Sequence, residues 1–204
     1  EKEESASGCA DEDGFIYSRW GSPTNQMVCA MVSSLEGAMC MGTYCFCSGM
    51  NAITTVFMTE LKSGDHVIAP RALYGGAYEW LTIYGPRLNI DVTFVDACDI
   101  RNYQDAMQDN TRLLYAESPA NPTMRLTDIE ALGALNASMG GKTTMAVDAT
   151  FATPYHVNYL TYNGVDVVIH SATKYLGGHS DLTAGTVSSK KKDFLTRLGK
   201  SAKL

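Results

Sequence analysis

Strand-like and helix-like patterns alternate along this 204-residue chain from one end to the other. Short apolar runs at 41–47, 66–69, 92–95, 113–117, 144–148, 166–170 and 185–188 read as strands. The segments between them read as helices. Ser22-Pro23 is a cap followed by proline in the first turn, and it opens a helix to about Glu36. Ser48-Gly49-Met50 opens a second helix, with Ile53, Phe57 and Leu61 on one side. Further helices are expected at 77–84, 100–107 and 128–138, with a short helix or turn at 157–162 and a basic helix after the last strand. Strand and helix in such regular turn predict a mostly parallel sheet flanked by helices, a three-layer α/β fold. There is no internal repeat and no interdomain linker.

In open α/β folds, ligands collect at the carboxyl ends of the strands. Residues 167–179 make a short buried strand that runs into a polar turn, with Lys174 flanked by Ser171 and Thr173. A lysine amine can bond covalently to an aldehyde once partial desolvation lowers its pKa. Hydroxyls one and three residues before it suit a phosphate, and an aldehyde with a phosphate suggests pyridoxal phosphate (PLP). Read alone, Lys174 is better taken as a solvated loop lysine, since most lysines lie at the surface. Asp148 closes the strand 144–148, 26 residues earlier. It can keep a pyridinium nitrogen protonated, or it can be a plain turn carboxylate.

Other strand ends add candidates. Ser48, Gly49 and Met50 sit where a strand meets a helix, and backbone N–H groups there bind phosphate. Tyr74, in Leu73-Tyr74-Gly75-Gly76, can stack on a flat ring and exchange a proton. The turn Glu117-Ser118-Pro119-Ala120-Asn121-Pro122 is fixed by two prolines and can present Asn121 to a ligand. Tyr17 and Arg19 precede the first helix, and an arginine fork suits a phosphate. Each has a bland counterpart: a cap serine, a half-buried aromatic, a turn asparagine, a surface arginine.

Composition narrows the function classes. A net charge of -6 argues against nucleic acid or an anionic membrane as partner. The basic run Lys190-Lys191-Lys192 reads as a solvated helix start. No apolar run is long enough to span a bilayer. The six cysteines lack metal-ligand spacing and read as small buried hydrophobes in a reducing, cytoplasmic compartment. No metal site is expected. A nucleotide-binding α/β protein is disfavoured, because no G-x-G-x-x-G or P-loop glycine pattern follows a strand. Residues 1–14 carry almost no large apolar side chains and are expected to be a flexible segment before a domain spanning 15–204.

Taken in order, these pieces resemble the Cys/Met-metabolism family of PLP enzymes. The matching text is Tyr17-Ser18-Arg19 with Ser22-Pro23-Thr24, Ser48-Gly49-Met50, Leu73 to Gly76, Glu117 to Thr123, Asp148 to Pro154, and Ser171 to Asp181. The resemblance implies the large domain of a type I PLP-dependent transferase fold, with PLP as cofactor. It implies that Lys174 binds the cofactor and moves protons, that Asp148 pairs with the ring nitrogen, and that Tyr74 stacks and protonates a departing thiol. Ser48, Gly49, Met50, Ser171 and Thr173 would line the phosphate site. Asn121 would sit near the ring hydroxyl and the substrate carboxylate. Tyr17 and Arg19 would reach into a neighbouring subunit's phosphate site, in a homodimer or homotetramer with shared active sites. The implied reaction is methionine γ-lyase-like α,γ-elimination of a sulfur amino acid, giving a thiol, an α-keto acid and ammonia. Cystathionine γ-lyase, cystathionine γ-synthase and O-acetylhomoserine sulfhydrylase activities stay open, as does a silent fragment that only binds PLP or oligomerises. Ala149 departs from the family's usual asparagine. Gly76 stands where many of its methionine γ-lyases carry cysteine and cystathionine enzymes often have glycine. The family continues past the lysine into a smaller C-terminal domain with a carboxylate-clamping arginine, and nothing after Lys174 matches that clamp. The expectation is therefore a large domain truncated at its C-terminal end.

Overall fold

The computed structural model describes Phe15 and residues 17–203; the expected flexible segment 1–14 lies outside the described residues. Among the described residues, seven strands make one sheet: β1 (Gly42–Phe46), β2 (His66–Pro70), β3 (Asp91–Val95), β4 (Thr111–Glu117), β5 (Thr144–Asp148), β6 (Val167–His170) and β7 (Gly185–Ser189). Their spatial order is β1-β7-β6-β5-β4-β2-β3. β2 to β6 pair in parallel, and β7 runs antiparallel to both β6 and β1. The helices are α1 (Pro23–Leu35), α2 (Gly49–Glu60), α3 (Gly75–Glu79), α4 (Gly85–Arg87), α5 (Ile100–Asp105), α6 (Ile129–Ser138), α7 (Thr153–His156) and α8 (Lys192–Ala202). The expected fold class, a mostly parallel sheet flanked by helices, is what forms.

Alternation along the central strands divides the core in two. Val67, Ala69, Leu113, Tyr115, Ala146, Val167 and Ile169 pack on one face with Ile53, Val56 and Phe57 of α2 and with Phe194 and Leu198 of α8. Ile68, Leu114, Ala116, Met145, Val147 and Val168 pack on the other, with Tyr103 of α5 and Leu132 of α6. Strands buried on both faces read as continuous apolar runs, which parallel sheets require. Phe57 is fully buried, with its ring centroid 5.2 Å from that of Tyr115 and 4.9 Å from that of Trp80. Burying such a side chain contributes about 1.5–3 kcal/mol, and it fixes α2 against the sheet.

The structure refines four local expectations. The helix expected at 77–84 extends from α3 to α4 through a wide turn, Trp80–Tyr84, closed by a hydrogen bond from the Gly85 N–H to the Trp80 carbonyl. Pro86 has no N–H to continue a regular ladder, and the turn ahead of it widens. In the stretch expected at 157–162, Pro154 starts a turn earlier, Val157 is extended, and only Tyr159–Thr161 winds again. The lysine run is not simply solvated. Lys190 Nζ donates to the Leu160 and Tyr162 carbonyls, and Lys191 Nζ lies 2.9 Å from Asp166 Oδ1. The cysteines differ as well: Cys29 is buried, but Cys47 and Cys98 are exposed.

The loop entering β6 touches α6 backbone to backbone. A Cβ built on Gly164, at φ +78°, would meet the Gly133 carbonyl oxygen at 1.8 Å. Gly64, at φ +87°, has open space around its Cβ position. Both alanine variants place a side chain in the left-handed region, at about 1–2 kcal/mol. Gly164→Ala should lose a further 1–3 kcal/mol, roughly, from overpacking. Urea denaturation of the two variants side by side measures the difference; equal midpoints would contradict the contact.

Candidate active site

The pleat decides which strand-end residues can meet. Leu113 and Tyr115 on β4, Ala146 on β5, and Val167 and Ile169 on β6 face α2. Continuing by twos reaches Glu117, Asp148 and Ser171, so all three arrive on the α2 side at the carboxyl edge of the sheet. Glu117 and Asp148 are direct register partners. The N-terminus of α2 closes the same corner. The result is a cavity of about 260 Å³ lined by Ser48, Gly49, Met50, Tyr74, Asn121, Asp148, Ser171, Thr173 and Lys174, together with Glu117, Thr150 and Phe151. Every sequence-predicted site residue except Tyr17 and Arg19 is there.

One end of the cavity is built for an anion. Ser48 caps α2, with its Oγ accepting from the Asn51 N–H at 3.0 Å, while the Ser48 carbonyl takes the Ala52 N–H. The Gly49 and Met50 N–H groups have no partner inside the helix, as its geometry dictates. A Cβ on Gly49 would lie 2.5 Å from the Ser171 Cβ. Only glycine lets the helix start and the Ser171 turn stand this close. The Ser171 N–H donates to Thr150 Oγ1 at 2.8 Å, which holds the serine against α2. Thr173 Oγ1 is more engaged than the sequence suggested. It donates to the Ala184 carbonyl at 3.1 Å and accepts from the Ala184 N–H at 3.0 Å.

The other end holds two buried carboxylates. Asp148 Oδ1 accepts from the Thr150 N–H at 3.0 Å and from Thr150 Oγ1 at 2.6 Å, and Oδ2 accepts from the Tyr115 hydroxyl at 3.4 Å. Glu117 Oε2 accepts from the Tyr74 N–H at 2.6 Å, and Oε1 from the Asn121 N–H at 2.7 Å. Burial raises the pKa of Asp148, against the opposing pull of its Thr150 hydrogen bonds. Burial and the Asp148 charge push Glu117 up to about 7.

The remaining residues frame the opening. Lys174 is exposed, at the mouth. Tyr74 is 41% exposed, and its ring packs so closely on Gly76 that a Cβ there would meet Tyr74 Cε1 at 2.7 Å and Met50 Sδ at 2.8 Å. Tyr17 and Arg19 lie outside the cavity of their own chain. Arg19 donates to the Lys203 carbonyl, and its guanidinium stands 5.5 Å from the Tyr17 ring centroid. On the opposite side of the sheet, His170 Nε2 lies 2.6 Å from Glu36 Oε1, both side chains almost fully buried. That pair ties the end of α1 to the strand that leads into Lys174.

Glu117 and Thr150 belong to the site but were not singled out from the sequence. Strand parity was the available signal for Glu117, since it lies two residues after Tyr115. Thr150 follows the strand, where no periodicity applies. As a donor set, the cavity fits PLP. It offers a buried carboxylate for the ring nitrogen, helix N–H groups and a serine hydroxyl for a phosphate, and an amine for the aldehyde.

Comparison with known proteins agrees with this chemistry. The family model described as Cys/Met metabolism PLP-dependent enzyme matches residues 1–203. L-methionine gamma-lyase of Fusobacterium nucleatum subsp. nucleatum is 42% identical over 177 residues, covering 87% of this chain and 44% of that protein. Cystathionine gamma-lyase of Bacillus subtilis is 42% identical over 180 residues, covering 88% of this chain and 46% of that protein. The solved structure of metB from Corynebacterium glutamicum superposes with a TM-score of 0.88 at 33% identity, covering 98% of this chain and 52% of that one. The chain spans about half the length of the curated relatives it matches.

The carboxylate pair has a measurable signature. Glu117 titrates from 4.5 up to about 7 on folding, so between these values the folded state holds a proton that the unfolded chain releases. Its contribution to stability therefore falls as pH rises through that window and is constant above it. Asp148 on β5 and His66 on β2 titrate too, so the useful quantity is the difference from Glu117→Gln, which cannot ionise. Urea denaturation at pH 5 and pH 8 should show wild type losing about 1–3 kcal/mol relative to the variant. A difference independent of pH would contradict the assignment.

Proposed function

The chain belongs to the Cys/Met metabolism family of PLP-dependent enzymes, and from that premise we propose that it is the cofactor-binding part of a carbon–sulfur lyase. The proposed substrate is a sulfur amino acid. The proposed reaction is methionine γ-lyase-like α,γ-elimination to a thiol, an α-keto acid and ammonia. The observation that carries this reading is a single one: Lys174, Asp148 and the open N–H groups of α2 line one cavity.

Bound PLP supplies an aldehyde for amines and an electron-poor ring that stabilises negative charge at the substrate's α-carbon. The chain's own residues would do the rest. Lys174 Nζ would hold the cofactor, then take the α proton and move it. Asp148 would keep a proton on the ring nitrogen, and the hydrogen bonds from Thr150 favour its charged form. Tyr74 would cover the ring and supply a proton from its hydroxyl to the departing thiolate. The Gly49 and Met50 N–H groups and Ser171 Oγ would bind the phosphate within the corner capped by Ser48. Thr173 would join them by exchanging its bond to Ala184. Asn121 would meet the ring hydroxyl and the substrate carboxylate.

Tyr17 and Arg19 would complete a neighbouring subunit's phosphate site, in a homodimer or homotetramer in the cytoplasm. Two features support an assembly. Both residues lie outside their own chain's cavity, and α1 presents Met27, Met31 and Leu35 to solvent while burying only Cys29 and Val32. Cystathionine γ-lyase activity is the second reading. Gly76 favours it, because Tyr74 and Met50 leave no room there for a side chain. Among the described residues, no helix is long and apolar enough to cross a membrane.

The first test is a visible absorption spectrum of the chain with added PLP, beside Lys174→Ala. A yellow band that borohydride removes, and that the variant lacks, is the expected result. A folded chain without the band would overturn the cofactor assignment. Turnover of methionine and cystathionine then separates the two lyase readings, and no turnover of either leaves a silent cofactor-binding domain. Tyr74→Phe should keep the band and lower elimination by about 10²–10⁴-fold, as loss of a positioned proton donor does. Unchanged elimination would remove Tyr74 from that role.

A further inference from the structure

Glu117 holds two walls of the cavity at once. It ends β4 and is 4% exposed. Each of its oxygens takes one backbone N–H: Oε2 that of Tyr74 at 2.6 Å, and Oε1 that of Asn121 at 2.7 Å. The donors come from separate connections. Tyr74 follows β2 and caps α3, whereas Asn121 lies in the turn after β4. Among the described residues, neither N–H has another acceptor. Tyr74, Asn121 and Glu117 all line the cavity. A carboxylate that accepts two N–H groups fixes both donors relative to itself, and therefore relative to each other.

We propose that Glu117 is a positioning residue that sets the spacing between the Tyr74 ring and the Asn121 side chain. The inference rests on the reading above, in which both residues contact the cofactor or its substrate. Both Glu117 oxygens are taken by these N–H groups, so it acts through the backbone of the two residues. A merely structural carboxylate would satisfy the same N–H groups for the sake of the fold, with no consequence for the cavity's dimensions. The geometry favours the positioning role, because one planar group ties together two separate connections, each of which carries a residue that lines the cavity.

Glutamine at 117 conserves size but not function. One of its terminal atoms becomes an NH2, which faces an N–H donor with another donor. One of the two bonds must break, and its segment is released. Aspartate keeps both acceptors but withdraws them by one methylene.

Amide hydrogen exchange of the PLP-loaded chain, followed by NMR, tests this without reliance on turnover. The Gly75 N–H, in the first turn of α3, is the internal reference, since helix geometry gives it no partner. In wild type, the Tyr74 and Asn121 amides should exchange at least about ten-fold more slowly than Gly75. Exchange as fast as Gly75 overturns the proposal before any variant is made. In Glu117→Gln, one of the two amides should lose that protection. The visible circular dichroism of the bound cofactor should change, and kcat should fall by about 10²-fold, the scale expected of a misplaced catalytic group. KM and the Lys174-dependent band should change little. Glu117→Asp should restore protection at both amides in part, and turnover with it. Lost protection with unchanged circular dichroism and unchanged kcat would reduce Glu117 to a structural role. If Glu117→Gln does not fold, the wild-type exchange and the Glu117→Asp comparison still decide. A chain that never shows the PLP band refutes the cofactor reading, and the exchange rates of Tyr74 and Asn121 then report on the strut alone.

Discussion

Two carboxylates buried side by side at the ends of β4 and β5 set the terms for everything around them. Glu117 and Asp148 are register partners on neighbouring parallel strands, and each is about 95% buried. Taking a charge out of water costs several kcal/mol unless donors replace the lost hydration. Here the donors come from every side. The segment after β2 turns in the Tyr74 N–H, the turn after β4 the Asn121 N–H, the segment after β5 the Thr150 N–H and hydroxyl, and β4 itself the Tyr115 hydroxyl. Three connections therefore begin by bending toward one point. The cavity is the space left between backbones that converge on a shared electrostatic demand.

The opposite end of the cavity is fixed by apolar packing. Phe57 and Ile53, deep in the core, decide where α2 lies, and so decide where its uncapped N–H groups point. Gly49 permits an approach to Ser171 that any side chain would block, since a Cβ would stand 2.5 Å from the Ser171 Cβ. Binding chemistry at the helix start thus depends in part on Phe57, two turns away in the core. The hydroxyl of Thr150 links the two ends, since it accepts from the Ser171 N–H and donates to Asp148. An anion at one end and a ring nitrogen at the other would be read by a single connected hydrogen-bond chain.

Much of this was legible in the sequence, for physical reasons that differ by element. Strand 144–148 reads off to the residue because it is a continuous apolar run that ends in a charge. Ser22-Pro23 and Ser48-Gly49 mark helix starts through local hydrogen-bond chemistry, which depends on few neighbours. The wide turn at Trp80–Tyr84 was not readable, because one proline affects a turn that precedes it. Lys190 and Lys191 looked like solvated charges because their partners, the carbonyls after residue 159 and Asp166, are distant in sequence and meet them only through the fold. Glu117 has no local signature of its own, because the prolines that follow it mark only a turn. Its role follows from the pleat, through which Tyr115 and Glu117 share a face. The buried His170–Glu36 pair joins segments 134 residues apart and has no local signature at all.

The pleat carries one more consequence, for how such a chain can change over evolutionary time. Glu117, Asp148 and Ser171 face the cavity because each lies an even number of positions from an inward residue of its own strand. A single-residue insertion or deletion within β4, β5 or β6 would turn the strand's end to the opposite face and would exchange the two halves of the core. Lineages descended from such a sheet are therefore expected to vary freely in the lengths of its outer connections while the central strands stay fixed in length. Substitution can retune the chemistry, but the reading frame of the pleat cannot drift.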